Sequence, residues 1–107
     1  MAHVVALTPD LLLGSKVVAM LSAAGHEVKL ASKLGEAHLD DADLLVADLD
    51  SEDPQALASL GIPVLGYYSH VNTDTKQAAE AADIDMVVPR SRMARELPNL
   101  AVKLLEG

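Results

Sequence analysis

Five short apolar runs, at His3–Leu7, Glu27–Leu30, Leu44–Ala47, Pro63–Tyr67 and Met86–Val88, mostly lack the strict alternation of a half-exposed strand, and helix-length stretches separate them. Runs of this kind bury both faces, which a strand achieves only with helices packed above and below it. Regular β–α alternation with long connections requires right-handed crossovers and a parallel sheet covered on both sides. The pattern predicts a flavodoxin-like α/β sandwich, with five parallel strands in the order 2-1-3-4-5 and five helices. At 107 residues the chain has room for one core, so residues 1–107 are read as one domain.

The helices are marked by local signals. Asp10 is a candidate N-cap for a helix to Ala24, with Leu13, Val17, Leu21 and Ala24 on one face and Gly25 as terminator. Lys33–Asp40 reads as a short, weakly periodic helix, and Asp53-Pro54 opens another that runs to Leu60. An Ala-rich helix is expected over Asp74–Ala82. The last helix, from about Met93 to Glu106, carries the stripe Leu97, Leu100, Ala101 and Leu104, and Pro98 is expected to blur its start.

Composition narrows the function. The only aromatic residues are Tyr67 and Tyr68, so Leu, Val and Ala must fill the core. The absence of cysteine removes disulfides, thiolate-bound zinc and cysteine catalysis, and points to an intracellular, cytoplasmic protein. No apolar run is long enough for a membrane span, and the start has no basic segment of a secretory leader. Net charge is −8, and no Lys or Arg lies between Leu34 and Thr75, where nine acidic residues fall, so nucleic acid is not an expected partner.

In a doubly wound sheet a site lies beyond the carboxyl ends of the strands, which singles out Thr8 and Asp10, Asp48 and Asp50, Ser69 and His70, and Arg90 and Ser91. Asp48 with Asp50, Glu52 and Asp53 reads either as a cation site or as solvated acids and turn formers. His70 reads as a binding or pH-responsive residue or as an exposed loop histidine, and the four histidines show no metal-ligand spacing. Arg90, Arg92 and Arg95 crowd the start of the last helix, where the helix itself favours anions. They suit an external anion or acidic partner, or internal pairing with Asp83, Asp85 or Glu96.

With Leu21-Ser-Ala-Ala-Gly-His-Glu-Val28, Asp43-Leu-Leu-Val-Ala-Asp48 and Ile62-Pro-Val-Leu65 in their order and spacing, the chain resembles the receiver domain of two-component response regulators over nearly its whole length. The resemblance implies a phosphoacceptor at Asp48, with switch and anion-contact positions among Thr8, Ser69, His70 and Arg90. The switch hydroxyl falls on Tyr68 or Ser69, according to register. It also implies Mg²⁺ at a neighbouring acidic pair, but that pair falls on Thr8-Pro9, leaving Asp10, Asp48 and Asp50 as the candidate metal set. The Lys-Pro expected after strand five is replaced by Pro89-Arg90. A carboxylate and a phosphoryl group repel each other unless cations intervene. The expectation is a non-enzymatic, stand-alone receiver-like module without bound cofactor, not phosphorylated in the usual Mg²⁺-dependent way. Its expected partners are proteins, a histidine kinase or a downstream signalling protein, with a homodimer through helix four, strand five and helix five as a further option. An active receiver phosphorylated on Asp48, and a flavodoxin-like domain binding a small anionic ligand at the strand ends, are the alternatives.

Overall fold

The computed structural model describes residues 2–69 and 73–106. Five parallel strands, β1 (His3–Leu7), β2 (Glu27–Ala31), β3 (Leu44–Asp48), β4 (Val64–Tyr68) and β5 (Met86–Pro89), form one sheet in the order β2-β1-β3-β4-β5. The apolar runs mark each strand to within a residue at either end. All five residues of β3 and of β4 are buried, as strands covered on both faces require, whereas the edge strand β2 exposes Glu27, Lys29 and Leu30.

Two helical layers cover the sheet. On one face α1 (Leu11–Ala23) and α4 (Arg90–Glu106) lie together, and Leu13, Val17 and Leu21 join Met93, Leu97, Leu100 and Ala101 over Val4, Ala6, Leu44, Val46 and Leu65. The opposite face packs Leu57 of α2 (Pro54–Ala58) and Ala79 of α3 (Thr73–Ala81) on Val5, Leu7, Leu45 and Val64. Both predicted caps hold: Asp10 Oδ1 accepts from Leu13 N–H at 3.1 Å, and Asp53 Oδ1 accepts from Gln55 N–H at 3.0 Å with Pro54 at the first helical position.

Two helix expectations are corrected. Among the described residues there are four α-helices, not five, because the stretch read as a helix over Lys33–Asp40 holds only a 3₁₀ turn at Leu34–Glu36. Lys33 provides no side-chain cap, Gly35 sits inside the turn, and the chain is extended by Ala37. Leu34, Ala37, Leu39 and Ala42 pack on the core from this irregular path, so burial replaces helical hydrogen bonding as its anchor. The last helix begins at Arg90, earlier than expected, and runs through Pro98. Proline deletes one rung of the ladder, but the buried Met93, Leu97, Leu100 and Ala101 on either side hold the helix to the sheet.

Close packing around two glycines gives opposite expectations. A Cβ built on Gly66, in the middle of β4, would lie 2.6 Å from Leu49 Cδ1 and 2.8 Å from Leu49 Cγ, inside a core with no slack. A Cβ on Gly14 would lie closest to the far methyl groups of Leu30, which is 39% exposed and can swing away, and 3.3 Å from Thr8 Cγ2, a contact that a shift of a few tenths of an ångström relieves. Gly66→Ala is expected to cost about 1–3 kcal/mol in urea denaturation, while Gly14→Ala changes stability by less than about 1 kcal/mol because helix propensity offsets the contact. Equal losses in the two variants would contradict this packing.

Candidate functional site

Parallel pairing aligns Leu7 with Ala47, Asp48 with Tyr67 and Tyr68 with Pro89, so the segments after β1, β3, β4 and β5 emerge at one end of the sheet. Thr8 and Asp48 are the buried polar residues there, 2% and 8% exposed. The Thr8 hydroxyl accepts from Asp10 N–H at 3.1 Å, and that bond turns the chain into α1. Asp10 has two tasks. One carboxylate oxygen caps α1, and the other is paired with the Arg90 guanidinium, eighty positions away at the start of α4.

Asp48 closes its own turn. Its Oδ1 accepts from Asp50 N–H at 2.9 Å, while its carbonyl accepts from Glu52 N–H at 3.1 Å. This is the turn-forming role available to any aspartate leaving a strand. Asp50 Oδ2 in turn accepts from Ser69 N–H at 2.9 Å, so Ser69 reaches Asp48 through its backbone and the Asp50 side chain. Glu52 Oε2 accepts from Leu34 N–H at 3.1 Å, which fastens the irregular segment after β2. Each acid from Asp48 to Asp53 thus meets a backbone donor.

Thr8, Asp10, Asp48, Asp50, Ser69 and Arg90 are therefore brought to one edge, while His70 lies outside the described residues. The arginine cluster is engaged internally. Arg92 Nε and an Arg95 guanidinium nitrogen each lie 3.3 Å from Glu96 Oε2, and neither Asp83 nor Asp85 pairs with them among the described residues. Asp85 instead accepts from Val64 N–H at 2.8 Å. Sequence reasoning missed Tyr67 as part of the site. It is 2% exposed, and its hydroxyl, beside the Thr8 side chain, makes no hydrogen bond of ordinary geometry among the described residues. A tyrosine near the end of a strand buried on both faces was the available signal, since a phenol there must come near polar groups or stay unpaired.

The electrostatics separate two carboxyls. Burial pushes the Asp48 carboxyl above the usual range, and the neighbouring Asp50 charge adds to this, against the Asp50 N–H, Arg90 and the Thr8 hydroxyl. Asp10 moves the other way: the Leu13 N–H and then the Arg90 hydrogen bond hold its carboxyl low. Burial drives the Tyr67 phenol to about 12. Asp10, Asp48 and Asp50, the candidate Mg²⁺ ligands, each have an oxygen that accepts from a backbone donor, and the second oxygen of Asp10 pairs with Arg90. Among the described residues no three His, Cys, Asp or Glu side chains are grouped to hold a metal ion.

No protein-family model and no curated protein matches the chain. Among solved structures it is similar to a response regulator from Thermotoga maritima, with TM-score 0.82 and 16% identity over 100% of this chain and 99% of that one. It is also similar to a response regulator receiver domain protein from Clostridium thermocellum, with TM-score 0.84 and 13% identity over 99% and 95% of the two chains. The Vibrio cholerae chemotaxis protein CheY4 gives 0.78 and 18% over 97% and 98%. The chain has the fold of these receiver domains from end to end.

The opposite shifts of Asp48 and Asp10 predict opposite stability effects. A raised folded pKa means the unfolded chain ionises first, so Asp48 destabilises the fold as pH rises through the carboxylate range; a depressed one means Asp10 stabilises it above its unfolded pKa and ceases to as pH falls through the folded value. Asp48→Asn is expected to raise the unfolding free energy at pH 7, and Asp10→Asn to lower it. Both differences should shrink as the pH is lowered below the carboxylate range, as followed by urea denaturation at several pH values. A destabilised Asp48→Asn at pH 7 would contradict the burial argument.

Proposed function

We propose that the chain is a receiver-like signalling module that works through protein contact, and that Asp48 does not take up a phosphoryl group in the Mg²⁺-dependent way. The observation that carries this reading is the Asp10–Arg90 ion pair beside Asp48. In a phosphoacceptor site a cation must stand between the nucleophilic carboxylate and the incoming phosphoryl group. Here the local cation is a side chain already neutralised by the chain's own carboxylate, and Thr8-Pro9 adds no acid for a metal to bind.

The receiver fold supports a protein partner from two-component signalling, either a histidine kinase or a downstream protein. We assign its contact to the face of α3, β5 and α4. The net charge of −8 is unfavourable for nucleic acid, and no reaction of its own is assigned to the chain. Among the described residues no helix is long and apolar enough to cross a membrane, and the cytoplasm is the proposed location. The buried Tyr67 hydroxyl, without a hydrogen bond of ordinary geometry among the described residues, favours a second reading, a small anionic ligand bound at the strand ends.

Incubation with acetyl phosphate and Mg²⁺ followed by intact-mass analysis tests the proposal, with Asp48→Asn as control. The expected result is an unchanged mass. A stoichiometric phosphoryl adduct that disappears in Asp48→Asn would restore the active-receiver reading. Saturable binding of a phosphate-bearing metabolite that perturbs the Tyr67 absorbance, without covalent transfer, would favour the small-ligand reading.

A further inference from the structure

β2 forms one edge of the sheet, with β1 as its sole partner strand among the described residues. The Glu27 N–H donates to the Ala2 carbonyl at 2.9 Å, and the Ala31 carbonyl accepts from Thr8 N–H at 3.1 Å. In a parallel pair bonding direction alternates along the strand, so Glu27, Lys29 and Ala31 turn their backbone groups toward β1, while Val28 and Leu30 turn theirs outward. An edge with outward N–H and C=O groups is a template for another strand. The far edge is a poorer template, because β5 ends in Pro89, which has no N–H.

We propose that β2 pairs antiparallel with β2 of a second copy, about a two-fold axis through Val28, joining two sheets into one. The charges select this register. An axis through Lys29 would set that cation against itself, and like charges directly opposite are destabilising. Moving the axis by one residue sets Val28 opposite Val28 as a hydrogen-bonded pair and sets Glu27 opposite Lys29 of the second copy, twice over. Lys29 is exposed and has no ion-pair partner among the described residues.

The neighbouring surface fits the same arrangement. Glu27 and Lys29 border a cleft of about 190 Å³ whose other wall is the irregular stretch carrying Asp40 and Asp41. Lys29 of the second copy arrives opposite Glu27, on the rim of this acidic cleft, in a chain of net charge −8. The contact leaves the α3–β5–α4 face clear. Two short strands bury a modest area, so the dimer is weak and depends on concentration.

Sedimentation velocity over a concentration series tests the pairing with wild type, Lys29→Glu, and Glu27→Lys combined with Lys29→Glu. The wild type is expected to dimerise. Lys29→Glu places Glu against Glu and is expected to raise the dissociation constant roughly ten-fold or more, and the double charge exchange should bring it back. Val28→Pro removes an outward N–H that only the second copy uses and is expected to abolish the dimer without changing the circular dichroism. A wild type monomeric at every concentration overturns the proposal. So does a dimer that persists in Lys29→Glu, which is what a contact through α3–β5–α4 would give, or a double exchange that folds but fails to associate.

Discussion

Every strand of the sheet runs the same way, and the other features of the molecule follow from that constraint. Parallel strands force each connection to cross from one end of the sheet to the other over one of its faces. With the order β2-β1-β3-β4-β5, this puts the segments after β1, β3, β4 and β5 side by side. Residues as distant in sequence as Asp10 and Arg90 thereby become ion-pair partners. The same crossovers bury β3 and β4 completely, so the site stands on the least yielding part of the fold.

Carboxylates do much of the fastening at the strand ends and loops. Asp10, Asp43, Asp48, Asp50, Glu52, Asp53 and Asp85 each accept a hydrogen bond from a backbone N–H. Bonds to an ionised acceptor are stronger than neutral ones, and each satisfies a donor that a loop would otherwise leave to water. This explains how a chain of net charge −8 holds a long acidic stretch with no nearby basic residue in sequence. It also bears on function, since a carboxylate that closes a turn or caps a helix is less available to a metal.

The strands and the caps were legible in the sequence because their causes are local or uniform. Continuous apolar runs follow from burial on both faces, and Asp10 and Asp53-Pro54 act within a turn of their own positions. The segment Leu34–Ala42 was not legible, because its path is set by where Leu34, Leu39 and Ala42 reach the core, not by helical preference. The early start of α4 and its passage through Pro98 depend likewise on packing against α1 and the sheet. At the site, sequence position identified Asp48, Thr8 and Arg90 as neighbours. The pairing of Arg90 with Asp10, and the buried phenol of Tyr67, depend on side-chain placement that no spacing rule carries.

On the reading proposed above, Arg90 is spent on Asp10 and the strand-end site does not recruit a divalent cation. Titration of Mg²⁺ followed by backbone amide chemical shifts tests this, because a cation held by Asp48 and Asp50 must move the amides of Asp50 and Ser69, which donate to those two carboxylates. No saturable movement of these amides is expected in the wild type, and saturable movement is expected once Arg90→Ala frees Asp10. Saturable shifts at Asp50 and Ser69 in the wild type are the opposite result and show a bound cation.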